Sequence, residues 1–269
     1  QGTLAIPEEG GRIRLISSTQ GPTAVQRAAA RVLGIPMNKI EVDVLRLGGG
    51  FGGKEDQASA WGALAALGAY KVNRPVKLVL SRHDDLRMTG KRHPYSSDYK
   101  LGLTSEGKIL AYEAVYYLDG GACADLSPAI LERTLLHATN SYAIPHVKTT
   151  AYSAKTNVAP NTAFRGFGGP QGKFVIEAAI RHAAKVLGMP AFEIQQKNLI
   201  QDGDFFYYGQ EVKNAKAVTA WQKADEAFQI RTIQAEVEGF NATNTRMKKG
   251  MAVMPICFGI SFTSTFLNQ

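Results

Sequence analysis

The residues with the most chemical potential in this sequence surround a tetrapeptide that occurs twice, Gly-Phe-Gly-Gly at 50–53 and again at 166–169. Glycine adopts positive φ angles and lets the backbone approach a ligand, because it has no side chain. The phenylalanine in each copy is unfavourable to expose to water, so we expect its ring to be delivered to a cavity. These two segments, which we call the first and second GFGG loops, are therefore predicted to close on the same ligand.

Glu55 follows the first GFGG loop and is a candidate for proton transfer or hydrogen bonding to a ligand. We expect it in the first turn of a helix, where backbone amides and the helix dipole favour the carboxylate. Apolar surroundings oppose ionisation, so its protonation state is expected to be poised. Such a group can hydrogen-bond to a heterocyclic N–H or carbonyl, as donor or as acceptor. A glutamate that only begins a helix is the alternative.

Arg133 is a second candidate, because its neighbours in a predicted helix are apolar on nearly every side: Ile130, Leu131, Leu135 and Leu136. A buried guanidinium needs a partner. That partner is either an acid such as Glu132, in a structural ion pair, or negative charge that develops on a bound substrate. His137, one turn later, is expected to be a satisfied core histidine.

Phe167 and Phe262 are candidates for a planar slot. Two facing aromatic rings bind flat heteroaromatic molecules by offset stacking. Thr263, beside Phe262, would add a hydroxyl group to the same slot. Either ring alone would be assigned to the core.

Two nucleotide-binding motifs partly match the first GFGG loop. Gly48, Gly50 and Gly53 have the spacing of a dinucleotide-binding turn, and Lys54 follows as in a phosphate-binding P-loop. A P-loop requires Ser or Thr after the lysine, whereas Glu55 would repel a triphosphate. A dinucleotide site requires an acidic residue about twenty positions later, where this sequence continues Lys-Val-Asn. Nucleotide binding is therefore not expected, and a glycine turn that only lets a helix pack on a strand stays an alternative.

Hydrophobic periodicity and turn residues predict an α+β fold, with mixed sheets and packed helices in two lobes at about 1–150 and 151–269. Predicted strands lie at 12–19, 40–45, 75–80 and 250–262, with a hairpin at 95–122. Predicted helices lie at 23–33, 55–70, 129–140, 173–187 and across most of 190–240. Glu177 and Arg181 are four residues apart and are expected to pair on the outer face of their helix.

Composition excludes several classes of function. Of the 269 residues, 45% are hydrophobic, which is enough for one large core or two smaller ones. No apolar run reaches about 18 residues and no basic-then-apolar leader is present, so neither membrane insertion nor secretion is expected. Cys123 and Cys257 are too few for a disulfide framework and lack metal-ligand spacing, so a reducing cytosol is expected. The net charge of +8 is scattered along the chain, so nucleic-acid binding is not expected.

Five segments together resemble the molybdenum-cofactor subunit of the xanthine dehydrogenase/oxidase family. They are Ser-Ser-Thr-Gln at 17–20, Gly-Gly-Gly-Phe-Gly-Gly-Lys-Glu at 48–55, Leu-Glu-Arg at 131–133, Thr-Ala-Phe-Arg-Gly-Phe-Gly-Gly-Pro-Gln at 162–171 and Phe-Gly-Ile-Ser-Phe-Thr at 258–263. The resemblance runs along the whole chain, and the doubled loop with these flanks is specific. It implies that the chain is part of the molybdopterin-binding region of a molybdenum hydroxylase.

The resemblance implies which residues hold the molybdenum–molybdopterin cofactor. Gln20 would hydrogen-bond to an oxygen ligand of the metal. The backbone at Gly50, Phe51 and Gly52, and the backbone near Arg165, would line the cofactor. No protein side chain would bind the metal directly, because the pterin dithiolene holds it.

The resemblance also implies which residues bind the substrate. Glu55 and Arg133 would grip opposite ends of a purine and take part in catalysis. Phe167 and Phe262 would lie around its ring, and Thr263 would contact it. Aldehyde oxidases resemble this family but usually carry apolar residues in place of the acid and the arginine. A purine hydroxylase is therefore preferred.

The implied reaction converts hypoxanthine and xanthine to urate, a step of purine catabolism, with water as oxygen source and hydride transfer to a Mo=S group. A glutamate base, the C-terminal molybdopterin domain, and the 2Fe-2S and FAD regions of the family have no counterpart in this sequence. The chain starts at Gln1 and ends in strand-like residues, so it is expected to be an inactive fragment of a cytoplasmic, homodimeric enzyme. Its partners would be the other domains of that enzyme. An aldehyde or other N-heterocycle hydroxylase, or a non-catalytic relative, is the alternative.

Overall fold

The computed structural model describes residues 1–259, and the chain separates into two compact units. The first unit contains residues 1–95, 118–130 and 153–167, and the second contains 96–117, 131–152 and the residues from 168 onward. The boundary between lobes predicted near residue 150 does not separate these units, because each unit includes residues from both sides of it.

The first unit is built on a four-stranded sheet with the order β3-β2-β1-β4. Its strands are β1 (Gly2–Glu8), β2 (Arg12–Ser17), β3 (Ile40–Asp43) and β4 (Val76–Val79). β1 runs antiparallel to β2 and β4, with Leu4 opposite Ile16, whereas β2 and β3 are parallel. Alternate residues of β1 and β2 are buried, so one face of the sheet is directed into the core.

Two helices cover that face, α1 (Pro22–Leu33) and α2 (Gln57–Val72). α1 has proline in its first turn and ends at Gly34, whose positive φ of 67° closes the helix with a hydrogen bond to the Ala30 carbonyl. The core between helices and sheet is rich in alanine, which lets the helices approach closely. A Cβ at Gly62 would lie 2.5 Å from Val25 Cγ1, so only glycine fits there. A third helix, α3 (Arg82–Met88), begins at Ser81, whose hydroxyl accepts from the Asp84 amide.

The second unit contains most of a three-stranded sheet with the order β5-β6-β7: β5 (Tyr95–Leu103), β6 (Ile109–Gly121) and β7 (His146–Lys155). The predicted hairpin at 95–122 is confirmed as β5 and β6. The helices that follow are α4 (Ser127–Leu136), α5 (Gly169–Leu187), α6 (Ala191–Lys197), α7 (Ala217–Phe228) and α8 (Ile230–Thr243). Buried residues alternate along β6, where Tyr112, Ala114 and Tyr116 all point into the core.

Residues 251–259 form neither helix nor strand, so the strand predicted at 250–262 is wrong over its described part. Side chains, rather than a neighbouring strand, provide hydrogen-bond partners for the backbone of this segment. Asn140 donates to the Pro255 carbonyl (2.6 Å) and accepts from the Cys257 amide (3.2 Å), and Gln195 donates to the Val253 carbonyl (2.7 Å). The backbone polar groups therefore find partners without a sheet.

The α+β fold predicted from the sequence is confirmed, with mixed sheets and eight α-helices within the described part of the chain. None of the helices in residues 1–259 has the length and apolar character needed to cross a bilayer. The ion pair predicted between Glu177 and Arg181 is absent from the described residues. Glu177 instead accepts hydrogen bonds from Asn140 (2.9 Å), Tyr142 (2.7 Å) and Gln195 (2.7 Å), because its helix face is covered by other elements.

Candidate functional site

The first GFGG loop lies in the first unit, between β3 and α2, and has an unusual backbone. Gly48, Gly49 and Gly52 have φ angles of 69°, 89° and 94°, as glycine permits. Phe51 also has a positive φ, 52°, which is strained for an aromatic residue. Its side chain is 66% exposed, so within the described residues its ring fills no core position. Strain combined with exposure is typical of a segment shaped for a ligand.

The second GFGG loop repeats the conformation at the central two residues. Phe167 has a φ of 48° and Gly168 a φ of 91°, close to the values at Phe51 and Gly52. The Phe167 amide donates to the Phe164 carbonyl (2.8 Å), and α5 begins immediately afterwards at Gly169. The prediction that these loops need left-handed backbone is confirmed. It holds even at the two phenylalanines, where it was not expected.

Gln20 holds the first GFGG loop through its side-chain carbonyl. Gln20 Oε1 accepts from the Gly52 amide (3.0 Å) and the Lys54 amide (3.2 Å), and the Gln20 amide donates to the Lys54 carbonyl (2.7 Å). A Cβ at Gly50 would lie 2.6 Å from Gln20 Cδ, so any other residue there would displace the Gln20 side chain from the loop. Gln20 Nε2 makes no hydrogen bond within residues 1–259. Both of its protons are thus available to an acceptor other than residues 1–259.

The Lys54 ammonium group hydrogen-bonds to other residues of the chain. Its Nζ donates to Ser18 Oγ (2.7 Å) and to the Leu47 carbonyl (2.8 Å). These bonds fix the start of the loop against the end of β2.

Within the first unit, the first GFGG loop touches the segment that leads into the second. A Cβ at Gly52 would lie 2.8 Å from the carbonyl carbon and oxygen of Ala163 and 3.0 Å from the Phe164 nitrogen. Arg92 holds the same segment: it donates from Nη2 to the Arg165 carbonyl (2.6 Å), and its guanidinium lies 4.4 Å from the Phe164 ring centre. The backbone of 163–165 is therefore fixed from two sides.

Glu55 lies in the turn before α2, two residues ahead of the first helical residue. The prediction that it lies in the first turn of the helix is therefore wrong. The chain is still turning at 51–54, and this delays the helix. Burial, followed by the charges of Asp56 and Asp125, raises the pKa of Glu55 from about 4.5 to about 7. The expectation of a poised carboxyl group is confirmed.

Asp125 is at the centre of a hydrogen-bond network beside Glu55. Its Oδ2 accepts from Gln57 Nε2 (2.8 Å), and its Oδ1 accepts from Thr162 Oγ1 (2.5 Å) and the Leu126 amide (2.7 Å). Gln57 Oε1 in turn accepts from the Gly90 amide (2.9 Å). The network joins the start of α2 to the segment before the second GFGG loop, and its charge acts on Glu55.

Arg133 lies in the second unit on α4 and is 4% exposed, as its apolar neighbours predict. Its Nη1 donates to the Gly259 carbonyl (3.1 Å), and its guanidinium carbon lies 4.9 Å from the centre of the Phe258 ring. Burial lowers the pKa of Arg133. In the segment 258–259, the guanidinium therefore contacts a carbonyl dipole and an aromatic face.

His137 is a satisfied core histidine, as predicted. Its Nε2 accepts from the Gly259 amide (3.0 Å), so Nδ1 carries the proton and donates to the Arg133 carbonyl (2.9 Å). Burial lowers the pKa of His137 to about 4, so the ring is neutral at pH 7. The histidine orders the chain at 258–259.

The predicted site residues fall into three groups. The first unit contains most of them: Gln20, Gly50, Phe51, Gly52, Glu55, Arg165 and Phe167. Arg133 belongs to the second unit. Phe262 and Thr263 lie outside the described residues.

Four residues that lie near the predicted site residues were not predicted from the sequence: Gln57, Arg92, Asp125 and Lys173. A signal existed for Lys173, since it precedes Ile176 and Ile180 by three and seven positions and so shares their buried face of α5. The others act through contacts between remote segments. Spacing along the chain does not reveal such contacts.

The family model of the molybdopterin cofactor-binding domain matches residues 1–199. The chain belongs to this family. Similar proteins include the xanthine dehydrogenase/oxidase of Mus musculus, 41% identical over 99% of this chain, and the xanthine dehydrogenase of Emericella nidulans, 42% identical over 100%. The chain spans 20% of the length of each of these relatives.

Solved structures of molybdenum enzymes share the fold of this molybdopterin cofactor-binding domain. Quinoline 2-oxidoreductase from Pseudomonas putida 86 superposes with a TM-score of 0.79, at 25% identity over 90% of this chain and 31% of that one. Aldehyde oxidoreductase from Desulfovibrio gigas superposes with a TM-score of 0.80, at 25% identity over 91% and 26%.

The residues of the first unit fit a molybdopterin cofactor. The side-chain amide protons on Gln20 Nε2 have no acceptor within residues 1–259, and Arg92 Nη1 is buried there without a hydrogen-bond partner. Donors left unmatched beside a glycine backbone suit a ligand rich in oxygen and nitrogen acceptors. Among residues 1–259 no three His, Cys, Asp or Glu side chains are grouped to hold a metal ion.

Substitution of Gly52 by alanine tests the contact between the loop and Ala163. Gly52→Ala combines a positive φ with a collision against backbone that cannot rotate away. We expect the free energy of unfolding to fall by at least about 2 kcal/mol more than in Gly10→Ala, measured by denaturant titration. Gly10 is the matched control, since its φ is 69° and nothing lies within 4 Å of its Cβ position. Equal losses in the two variants would show that the contact is unimportant.

Substitution of Glu55 by glutamine tests its raised pKa. The folded state holds the Glu55 proton more tightly than the unfolded state does, so wild-type stability falls as pH rises from about 4.5 to about 7. Glu55→Gln should be stabilised relative to wild type by on the order of 1 kcal/mol above pH 7, after allowance for solvent exposure, and by little at pH 4.5. Thermal denaturation across this range measures the difference, with Glu9→Gln at an exposed position as control. A difference that does not vary with pH would contradict the assignment.

Proposed function

We propose that this chain forms the substrate pocket and part of the cofactor site of a molybdenum hydroxylase that oxidises hypoxanthine and xanthine to urate. The observation that carries the proposal is the poised carboxyl group of Glu55, which follows a glycine loop fit for the cofactor. The 41% identity with xanthine dehydrogenase/oxidase over nearly the whole chain supports it.

The cofactor, when bound, supplies the oxygen transfer and accepts the two electrons of the oxidation. In the proposal, Gln20 donates its amide protons to an oxygen of that group. The backbone at Gly50, Phe51 and Gly52, and near Arg165, lies along it. Gln20 suits the role because its carbonyl is already held by the loop amides, so its amide nitrogen is oriented in advance.

Glu55 is proposed to bind the purine through a hydrogen bond that depends on its protonation state. With a pKa of about 7, the carboxyl group can donate a proton to a ring nitrogen or accept one from a ring N–H. Burial raises the pKa of Glu55 into that range, and the negative charges of Asp56 and Asp125 add to the effect because they oppose its ionisation.

Arg133 is proposed to stabilise negative charge on the heterocycle during its oxidation. A guanidinium held in an apolar environment interacts more strongly with developing charge than one in water. Because Arg133 is buried and oriented by the Gly259 carbonyl, little reorganisation is needed when that charge appears. Phe167, Phe262 and Thr263 are proposed to complete the substrate pocket.

The rest of the enzyme is proposed to lie outside this chain. It comprises the glutamate base, the remaining molybdopterin domain, and the 2Fe-2S and FAD regions. The complete enzyme is proposed to be a cytoplasmic homodimer. The chain spans a fifth of the length of its curated relatives, which is consistent with further domains.

A second candidate is hydroxylation of an aldehyde or another N-heterocycle. The structural similarity to quinoline 2-oxidoreductase and aldehyde oxidoreductase favours it. The two candidates differ in the use of Glu55 and Arg133, because a simple aldehyde has no second polar edge for a carboxyl group and a guanidinium to bind.

Replacement of Arg133 by methionine in the full-length enzyme tests which candidate holds. We expect kcat/KM for hypoxanthine to fall by about 100- to 1,000-fold, since stabilisation of developing charge is lost, while a simple aldehyde is oxidised at nearly the wild-type rate. Arg181→Met, an exposed arginine on α5, serves as the control and should change neither rate. Equal losses on both substrates would reject the purine assignment.

The isolated chain provides a separate test. Purified residues 1–269, loaded with cofactor where possible, should not hydroxylate hypoxanthine, because the general base is proposed to lie elsewhere. Urate formation can be followed by absorbance. Turnover by this chain alone would show that it carries its own base.

A further inference from the structure

We propose that Lys173 and Arg133 form a two-cation subsite, which we call the cation pair, that binds an anionic oxygen of the heterocyclic substrate. This would make Lys173 a specificity-determining residue. The inference rests on the proposed function, whose substrate class it narrows to heterocycles that carry or develop negative charge on an exocyclic oxygen.

Lys173 is buried where lysine is rarely found. It lies near the start of α5 and is only 4% exposed, on the same helix face as the fully buried Ile176 and Ile180. Lysine is almost never buried to this extent unless its ammonium group is paired. The position is therefore not explained by packing of the hydrocarbon chain alone.

No residue among 1–259 forms an ion pair or a hydrogen bond with Lys173 Nζ. The lysines that do pair with acids are exposed ones, such as Lys100 and Lys148, which share Glu113. Nζ of Lys173 lies 4.8 Å from the centre of the Phe258 ring. An aromatic face attracts a cation, but it does not replace the hydration that an ammonium group loses on burial.

The same ring also faces Arg133, whose guanidinium carbon lies 4.9 Å from its centre. The two positive groups oppose each other. Burial lowers the pKa of Lys173, Cys257 raises it, and the charge of Arg133 lowers it by a smaller amount. The other titratable groups that act on them are neutral, since His137 has a low pKa and burial raises the pKa of the Cys257 thiol. Two cations thus converge on one ring while no carboxylate among residues 1–259 pairs with the lysine.

A bound anion would relieve this arrangement. Inorganic anions would do so, but the flat Phe258 ring, which both cations contact, favours a planar ligand. In an oxidised purine, negative charge spreads from the ring onto the exocyclic oxygens. Arginine offers a planar fork and lysine a compact point charge, so together they suit a ring edge that ends in an oxygen. The ligand class that fits is an oxypurine rather than an unsubstituted ring.

The test compares xanthine with unsubstituted purine in the full-length enzyme. For Lys173→Met we expect kcat/KM with xanthine to fall by about 10- to 100-fold, and with purine by less than about threefold. Lys173→Arg should retain most of the xanthine activity. Lys185→Met is the matched control, since Lys185 lies on the same helix but is exposed, and both of its rates should match wild type. Equal loss on the two substrates, or no loss on xanthine, would overturn the proposal.

A binding measurement separates this inference from the proposed function. Urate affinity can be measured without turnover by equilibrium titration of the oxidised enzyme, alongside molybdenum and pterin content. We expect Lys173→Met to weaken urate binding about 10-fold with unchanged cofactor content. Unchanged urate affinity, or a loss that only follows cofactor content, would refute the cation pair. A wild-type enzyme that oxidises aldehydes but neither purine would instead refute the proposed function, while the urate titration would still decide the role of Lys173.

Discussion

The close approach of backbone to backbone at Gly52 is the constraint on which the first unit's site depends. No Cβ fits between Gly52 and the Ala163 carbonyl, so the two chain segments meet without side chains between them. The Gly52 amide then faces Gln20 Oε1, and this bond orients the amide end of Gln20. Arg92 holds the neighbouring backbone at Arg165. One glycine contact therefore fixes both the donor side chain and the backbone proposed to lie along the cofactor.

Both GFGG loops contain strained backbone at their phenylalanine residue. Phe51 and Phe167 adopt positive φ angles that cost free energy for any residue with a Cβ. Such conformations persist only where the surrounding contacts determine the backbone. Around Phe51 these contacts are the Gln20 and Lys54 hydrogen bonds, and beside Phe167 the bond to the Phe164 carbonyl. The contacts that stabilise the first unit thus hold Phe51 and Phe167 in backbone conformations that are unfavourable for them.

Local signals made much of the fold predictable. Pro22 and Gly34 bound α1, and a glycine turn at 105–107 joins β5 and β6, so the helix and the hairpin could be placed from sequence. The segment 251–259 could not, because its partners are side chains of Asn140 and Gln195 from distant elements. The site divides in the same way. Glu55 and Arg133 were identifiable from their neighbours in sequence, whereas Arg92 and Asp125 act only through contacts made by the fold.

Both units contain ionisable groups that are buried near groups of like charge, which lowers the stability of the folded unit. In the first, burial raises the pKa of Glu55, and the charges of Asp56 and Asp125 raise it further. In the second, burial lowers the pKa of Lys173, and the charge of Arg133 adds to that lowering. Neither arrangement is expected from selection for folding alone, since like charges in apolar surroundings are unfavourable. The carboxyl cluster suits a ligand that shares a proton, and the cations suit one with an anionic oxygen. In the terms of the proposed function, an oxypurine offers both kinds of group, whereas a simple aldehyde does not.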